Sequence, residues 1–288
     1  MIGVLLQVLA WLLGIILLVI LLLLAYPLVE ILIWRRLWLR RLRQSAHQSH
    51  TNWSTAVIYL SGISHFASPD LLRQQVTMLK QVAKVAKPER MLTVAFPYEA
   101  ETAKEFQRYD LWRRLGWKST PLIIFSLRNF EQAALANMFP NWYGRVVADC
   151  IAARLGDSNK AQRLIVIGNS AGGSILLSAA PFLCERWPGL KITAIMCGGV
   201  YGSSKGFESV ERFHQLLGSR DGWVDFGISI TPSRRWPRGP LPKAQAEGRY
   251  QEHQIGDMGH FGTEGYYSDK YVQVTSRYIA SLLSEKKE

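Results

Sequence analysis

A short turn of glycine, serine and alanine constrains this chain more than any other feature. Residues 164–167 are an apolar run typical of a buried strand, and residues 173–180 have the small-residue pattern of a helix. Residues 168–172 lie between them and read GNSAG. A G-x-S-x-G turn that joins a strand to a helix strains the serine backbone and exposes its hydroxyl at the carboxyl end of a sheet. We therefore expect Ser170 at such an edge.

The same pattern occurs a second time, as GSSKG at residues 202–206. This copy also follows a plausible strand, but Lys205 comes directly after its central serine and no apolar helical pattern begins there. We interpret it as a loop. Ser170, rather than Ser204, is therefore the candidate nucleophile.

A nucleophilic serine needs a base and a group that orients the base. Two downstream loops offer them, because Asp221 follows a strand pattern at residues 213–218 and His260 follows another at residues 250–255. Parallel strands end at the same edge of a sheet, so these side chains can meet Ser170 although they are distant in sequence.

Other acidic and histidine residues remain as alternatives. Asp225 and Asp257 are the rival carboxylates, and a turn aspartate can also be purely structural. His214 and His253 belong to strand patterns, which favours a structural role for both. His65 lies in an early loop where it could touch substrate.

Three motifs together resemble the α/β-hydrolase superfamily and, within it, the lipases and esterases: the GNSAG turn, GSRDG at residues 218–222 and GHFG at residues 259–262. They occur in the family's chain order. The resemblance implies that Ser170 is the nucleophile, His260 the general base and then acid, and Asp221 the carboxylate that orients His260. It also implies that the chemistry needs no cofactor and no metal.

The resemblance covers roughly residues 54–285 and departs from the family pattern in one place. One oxyanion donor, the Ala171 N–H, follows from the turn motif. Lipases of this family often carry an H-G or H-G-G-G loop after an early strand, whereas residues 60–64 here read LSGIS. The second donor that we expect, the Ile63 N–H, therefore rests on its position alone.

Alternating patterns predict an α/β fold with a mostly parallel sheet flanked by helices. The strand patterns are residues 55–60, 91–96, 164–167, 191–197, 213–218 and 250–255. The helix patterns are residues 69–85, 142–155, 173–180 and 266–283. The apolar run at residues 122–127 fits either a further strand or a buried loop.

The N-terminal segment is apolar enough to cross a membrane. Residues 2–29 contain no charged side chain, and about 20 apolar residues span a hydrocarbon core of about 30 Å. A cleaved signal peptide is the alternative, but it would have a basic segment before a shorter apolar core. We predict one retained transmembrane helix within residues 1–33, a juxtamembrane segment and linker at residues 34–53, and a hydrolase-like domain at residues 54–288.

Five arginines follow the apolar segment: Arg35, Arg36, Arg40, Arg41 and Arg43. By the positive-inside rule they place the domain on the cytoplasmic side of the membrane. Trp34, Leu37 and Trp38 interleave with them, which favours an interfacial helix against anionic lipid. The alternative is a topology signal without any lipid preference.

Composition narrows the possible functions further. The net charge is +12, but no nucleic-acid-binding signature accompanies it. Three cysteines stand apart in apolar patterns, as reduced core residues do, and no metal-ligand spacing or phosphate-binding glycine motif is visible. Residues 97–143, which are rich in aromatics, and residues 227–249 could cover the site as an apolar channel or a membrane-contacting lid, although aromatics in such numbers also suit a core.

The sequence thus predicts a membrane-anchored serine hydrolase that cleaves a carboxylic ester, most simply of a lipid or acyl compound. Thioesterases, peptidases and acyltransferases use the same three residues, so these activities remain alternatives. A non-catalytic, membrane-tethered protein that binds a partner or lipid is the alternative from a different class.

Overall fold

A parallel β-sheet organises the part of the chain that the computed structural model describes, namely residues 2–45, 52–61, 71–93, 104–105, 107–117 and 121–284. Its strands are β1 Thr55–Leu60, β2 Arg90–Leu92, β3 Arg163–Asn169, β4 Lys191–Cys197, β5 Arg212–Gly218 and β6 Tyr250–Gly256. They lie in the order β2-β1-β3-β4-β5-β6, and every neighbouring pair is parallel. The predicted parallel sheet is confirmed.

The helices cover both faces of this sheet. In the described residues they are α1 Ile2–Ser45, α2 Arg73–Ala86, α3 Leu111–Arg114, α4 Leu122–Met138, α5 Pro140–Leu155, α6 Ala171–Arg186, α7 Gly222–Ser229, α8 Pro240–Ala246 and α9 Val272–Ser284. Helices α2 and α9 pack together on one face, whereas α5 and α6 pack on the other with α4 and part of α1.

Burial on both faces explains the continuous apolar run of β3. Leu164 and Val166 point into the core under α5 and α6, and Ile165 and Ile167 point into the core under α2 and α9. All four side chains are fully buried. A central parallel strand needs apolar residues at every position, because neither of its faces meets water.

Residues 122–127 form neither a strand nor a loop, which corrects both sequence-based interpretations of this run. They begin α4, which continues to Met138. A short apolar run cannot distinguish a buried strand from a buried helix, and here the helix continues far beyond the run itself.

Other predicted boundaries also differ from the structure, among them those of the last helix, α2 and β2. The last helix begins at Val272 rather than at residue 266, because Tyr266 and Tyr267 lie in a buried turn before it. Helix α2 begins at Arg73, and residues 69–70 of its predicted start lie outside the described residues. Strand β2 ends at Leu92, and residues 94–96 of its predicted end also lie outside them.

Helix α1 is continuous over 44 residues, or about 66 Å. By length and composition it is a candidate membrane span, with its most apolar window unburied. It does not stop at residue 33 but continues to Ser45. A membrane span and a signal sequence both satisfy this description.

The second half of α1 packs against the domain. Ile31, Trp34, Leu37 and Trp38 recur at the spacing of one helical face, and all four are buried in the core beside α4 and α5. The expectation that Trp34, Leu37 and Trp38 wedge into lipid is therefore wrong. The domain, not the bilayer, covers this apolar face.

Part of the arginine flank is likewise engaged by the protein. The Arg35 guanidinium lies 4.4 Å from the ring centre of Trp142, and Arg41 forms an ion pair with Glu105 at 2.6 Å. Arg36 and Arg40 are exposed, and the side chain of Arg43 lies outside the described residues. Some arginines of the flank thus contact the domain, whereas others are exposed to its surroundings.

Candidate active site

The turn between β3 and α6 holds Ser170 in a strained conformation. Its φ of 48° and ψ of −122° lie outside the regions that a non-glycine residue usually adopts. Gly168 is required in this turn, because a Cβ there would lie 2.2 Å from the Leu60 carbonyl oxygen. Such strain persists only where the surrounding structure enforces it, and it is common at reactive serines.

Asp221 and His260 lie next to each other at the same edge of the sheet. Asp221 follows β5 and begins α7, whereas His260 follows β6, the neighbouring parallel strand. The distances from His260 Nδ1 to the two Asp221 carboxylate oxygens are 2.8 and 3.0 Å. Both side chains are buried, so water does not compete for this contact.

A pair of glycines after β4 brings the three candidate residues together. A Cβ on Gly198 would lie 3.0 Å from both an Asp221 oxygen and His260 Cε1, and a Cβ on Gly199 would lie 2.7 Å from the Ser170 carbonyl oxygen. The pair has φ angles of 62° and 81°, in the left-handed region that glycine tolerates. Ser170, Asp221 and His260 therefore surround one short backbone segment.

No hydrogen bond joins Ser170 Oγ to His260 in the described structure. Hydrogen bonds between a nucleophile and its base are commonly long without substrate and tighten in the reacting complex. His260 and Asp221 are thus hydrogen-bonded to each other, and Ser170 lies across the backbone of Gly198 and Gly199 from them.

The Asp221 carboxylate is held in its charged form. Burial alone would raise its pKa, but hydrogen bonds from His260, Tyr266 and the Val224 N–H outweigh burial, and the pKa of Asp221 is lowered. A buried carboxylate that stays ionised can stabilise a protonated imidazole beside it. The geometry therefore suits proton transfer through His260.

Tyr266 is part of this site, although sequence reasoning missed it. Its hydroxyl donates to an Asp221 oxygen at 2.7 Å and accepts the Gly218 N–H at 2.9 Å. Burial and the nearby Asp221 charge raise the pKa of Tyr266, so it remains a donor. Tyr266 lies a few residues after the GHFG loop. The sequence pattern predicted a helix that begins at this residue, so a contact with Asp221 was not expected.

Tyr201 is a second residue that the sequence did not reveal. Its buried hydroxyl lies 2.9 Å from the Gly198 carbonyl oxygen and 3.2 Å from that of Ser170. It thereby links the serine turn to the glycine pair. Only the packing of the loop after β4 under α6 shows this contact.

The rival acids lie in other surroundings. Asp225 is exposed on α7. Asp257 is also exposed and forms an ion pair with Arg220 at 2.7 Å, together with a hydrogen bond from Ser219. Within the described part of the chain, neither carboxylate forms a hydrogen bond with His260, whose carboxylate partner is Asp221.

The rival histidines form a separate cluster. His214 Nδ1 lies 3.0 Å from His253 Nε2, and His253 Nδ1 lies 3.1 Å from the Tyr278 hydroxyl. These contacts link β5, β6 and α9, and they account for both histidines as structural residues. His65 lies outside the described residues, so its expected contact with substrate stays a prediction.

The expected oxyanion donors are only partly within the described structure. Ala171 is the first residue of α6, so its N–H is one of the donors that a helix cannot satisfy internally. Ile63 lies outside the described residues, and its role stays a prediction.

A cleft of about 760 Å³ lies along the second half of α6, and its lining does not include Ser170, Asp221 or His260. The lining of the cleft includes Val200, which follows the glycine pair in sequence. It also includes Asn137, whose amide lies 3.4 Å from Ser174 Oγ. Its apolar lining includes Leu177, Pro181 and Phe182. Its polar side includes the second G-x-S-x-G segment.

In that second segment, predicted to be a loop, residues 202–204 are irregular, and Lys205 and Gly206 begin a 3₁₀ turn. Ser204 accepts a hydrogen bond from the Gly206 N–H at 3.2 Å and caps the 3₁₀ turn Lys205–Ser209. Its φ of −79° carries no strain. Ser204 therefore has an ordinary capping environment, unlike Ser170.

Nothing in the described ranges is arranged to hold a metal ion: no group of three His, Cys, Asp or Glu side chains there could ligate one. The three cysteines, Cys150, Cys184 and Cys197, form no disulfide bond within the described residues. Burial raises the pKa of Cys197 to about 12, so this thiol is inert at neutral pH.

Two solved structures are similar to this chain. One is a crystal structure of an esterase/lipase from an uncultured bacterium, with 13% identity, a TM-score of 0.37, and coverage of 80% of this chain and 76% of that one. The other is LpqC, a poly(3-hydroxybutyrate) depolymerase from Bordetella parapertussis, with 15% identity, a TM-score of 0.38, and coverage of 81% of both chains. No protein-family model and no curated protein sequence matches the chain.

These likenesses are too distant to assign a reaction. The sheet order and the serine turn carry the structural conclusion instead. A parallel sheet with helices on both faces, and a strained serine between a central strand and a helix, make up the α/β-hydrolase architecture that the sequence motifs resemble.

Proposed function

We propose that this protein is a membrane-anchored serine hydrolase that cleaves a carboxylic ester of a lipid or other acyl compound. One observation carries the proposal: the strained Ser170 turn lies beside a buried, hydrogen-bonded His260–Asp221 pair at the same edge of the sheet. A nucleophile, a base and an orienting acid in this arrangement support acyl transfer.

In the first half-reaction, Ser170 Oγ attacks the carbonyl carbon while His260 Nε2 takes the hydroxyl proton. The resulting oxyanion accepts hydrogen bonds from the Ala171 N–H and, in our proposal, the Ile63 N–H. Collapse of this intermediate breaks the bond to the alcohol, which leaves with the proton from His260. The products are a free alcohol and an acyl-serine.

Water completes the cycle through the same groups. His260 takes a proton from water as its oxygen attacks the acyl carbon, and then returns that proton to Ser170 Oγ as the acid departs. Asp221 stays ionised throughout and accepts a hydrogen bond from the Nδ1–H group of His260, which fixes the tautomer and stabilises the imidazolium.

The proposed membrane tether favours a substrate with an apolar part. A separate cleft farther along α6, with Leu177 and Phe182 in its lining, has room for part of an acyl group but does not include Ser170. A tether would hold the domain at high local concentration near membrane substrates. The proposal places the domain on the cytoplasmic side, on the basis of the arginine flank.

Thioesters, peptides and acyl transfer to an alcohol remain alternatives, because they use the same intermediate. The non-catalytic alternative makes a different prediction, since a binding protein has no need of a reactive serine. Reactivity of Ser170 toward an active-site probe therefore separates the enzyme from the binding protein.

The test is labelling of the full chain with a fluorophosphonate, followed by hydrolysis of a short p-nitrophenyl ester. We expect labelling at Ser170, loss of both signals in Ser170→Ala, and no loss in Ser204→Ala, the matched control. Circular dichroism should show that both variants stay folded. Absence of labelling in the folded wild-type chain, or its persistence in Ser170→Ala, would contradict the proposal.

A further inference from the structure

Residues 107–117 present an unusual surface next to α1. Tyr109, Leu115 and Trp117 are each at least 50% exposed, and Leu111 is also exposed. Clustered exposed apolar side chains of this size commonly mark a contact with a partner or a membrane. Three exposed arginines lie in the same segment: Arg108, Arg113 and Arg114.

This segment is attached to α1 where the apolar run ends. Trp112 packs edge-on against Tyr26, with ring centres 5.7 Å apart, and Trp117 packs on Trp112 at 5.4 Å. Asp110 caps α3 by accepting the N–H groups of Trp112 and Arg113. The exposed side chains are therefore held beside Tyr26.

A buried ion pair fixes the position of the domain along α1. Arg128 of α4 binds Glu30 through Nε at 3.0 Å and Nη2 at 2.5 Å, and both side chains are almost fully buried. Tyr26 donates to the same carboxylate at 2.9 Å. Since α1 is continuous here, the domain and the apolar run cannot slide past each other without breaking these bonds.

The length of the apolar run then sets the depth of the segment. Residues 3–25 measure about 34 Å as a helix, enough to cross a hydrocarbon core of about 30 Å. Tyr26 would lie at the headgroup level, where tyrosine and tryptophan are enriched. Whatever packs against Tyr26 lies at that level too.

We infer that residues 107–117 are a second membrane contact, which rests on the proposed span and inserts into the same leaflet at the headgroup level. Leu111, Leu115 and Trp117 would face the acyl boundary, while the three arginines meet anionic headgroups. This contact orients the domain on the bilayer. Trp34 and Trp38 of α1, which are buried in the protein, do not supply it.

The experiment places a fluorophore at single cysteines in the full chain, reconstituted in phosphatidylglycerol–phosphatidylcholine vesicles, in a Cys184→Ala background. Leu115→Cys reports on the proposed contact. Leu72→Cys is the matched control, because it is an exposed leucine before α2, on the opposite face of the sheet. Leu12→Cys reports on the span itself.

We expect nitroxide-labelled lipid to quench positions 115 and 12 and iodide in water to quench position 72. Quenching of position 115 by iodide as strongly as position 72, with position 12 still quenched by lipid, would overturn the contact but not the span. Iodide quenching at position 12 would instead overturn the span and the contact with it. Hydrolysis of a soluble ester by the same preparations tests the proposed function separately.

The arginines give a second measurement with an independent readout. Lipid quenching at position 115 should be stronger in vesicles that contain phosphatidylglycerol than in pure phosphatidylcholine, and salt should reduce the difference. Changing Arg108, Arg113 and Arg114 to glutamine should remove it. A difference that survives these changes would overturn the assignment of headgroup binding to this segment.

Discussion

Two carboxylates, Asp221 at the sheet edge and Glu30 on α1, are both buried, but different partners offset the cost of their burial. Each is 3% exposed, and each accepts one hydrogen bond from a tyrosine hydroxyl. Asp221 is also bound by His260 and the Val224 N–H, whereas Glu30 is also bound by Arg128. Hydrogen bonds thus offset the cost of burying each carboxylate. They outweigh burial at Asp221, whose pKa is lowered, whereas burial still raises the pKa of Glu30.

The partner decides what each carboxylate can do. An imidazole gains and loses a proton near neutral pH, so the Asp221–His260 pair can move a proton to and from a neighbouring hydroxyl. A guanidinium stays protonated, so the Glu30–Arg128 pair can only hold two elements together. Under the proposed function, similar burial would support proton transfer at Asp221, whereas at Glu30 it holds α1 against α4.

The largest expected effect tests the chemical half of this comparison. Asp221→Asn should lower kcat for a soluble ester by about 10⁴, because the amide no longer favours the required tautomer and imidazolium of His260. Steady-state kinetics of purified protein measure it. Asp225→Asn, an exposed acid on the same helix, should have little effect. Loss of activity in Asp225→Asn instead would show that the wrong carboxylate was chosen.

The next effect tests the structural half. Arg128→Met leaves Glu30 buried without its charge partner and should lower the free energy of unfolding by about 3–5 kcal/mol. Denaturant unfolding in detergent micelles measures this, and limited proteolysis shows whether α1 separates from α4. Activity on a soluble ester should remain in the folded fraction.

The matched control for that change is the double variant Glu30→Gln/Arg128→Met, which removes both charges. It should recover most of the lost stability, because no unpaired charge stays buried. If the single and double variants are equally unstable, lost packing rather than the uncompensated charge explains the effect.

A third pair, the buried His214 and the half-buried His253, extends the comparison because it contains no carboxylate. Burial, followed by the nearby charges of His253 and Arg212, lowers the pKa of His214 from 6.5 to about 4. The neutral form is thus favoured in the folded state, so this stabilisation is present above pH 6.5 and is lost as the pH falls toward 4.

Unfolding at pH 7 and pH 5 measures this term. The wild-type chain should lose about 2 kcal/mol more than His214→Gln between these two values, from a shift of this size. Equal losses in the two proteins would show that His214 does not titrate on unfolding.

The smallest expected effects compare the two tyrosines. Tyr266→Phe should lower kcat roughly tenfold, because a hydrogen bond to a carboxylate is worth about 1.5 kcal/mol. In the pH profile of kcat, the acidic limb should also move to higher pH. Tyr26→Phe should reduce stability by a similar energy and leave kcat unchanged. A loss of kcat in Tyr26→Phe would contradict the separation of the two carboxylates.

The sequence alone determined the features that depend on neighbouring residues. The strands before Asp221 and His260 end within a residue of their predicted positions, and the serine turn joins a strand to a helix as expected. These features are local, because an apolar run followed by glycine and polar residues defines a strand end wherever the chain goes. The roles of Ser170, Asp221 and His260 stay a proposal.

Only the tertiary structure decided which distant residues share a surface. Residues 122–127 are helical, Tyr266 reaches Asp221, and Trp34 is buried by the domain rather than by lipid. Glu30 finds Arg128 almost a hundred positions away in the chain. The physical reason is that an amphipathic pattern predicts that one helix face is buried but does not identify the element that covers it. Likewise, a buried charge requires a partner, but the sequence does not identify which residue it is.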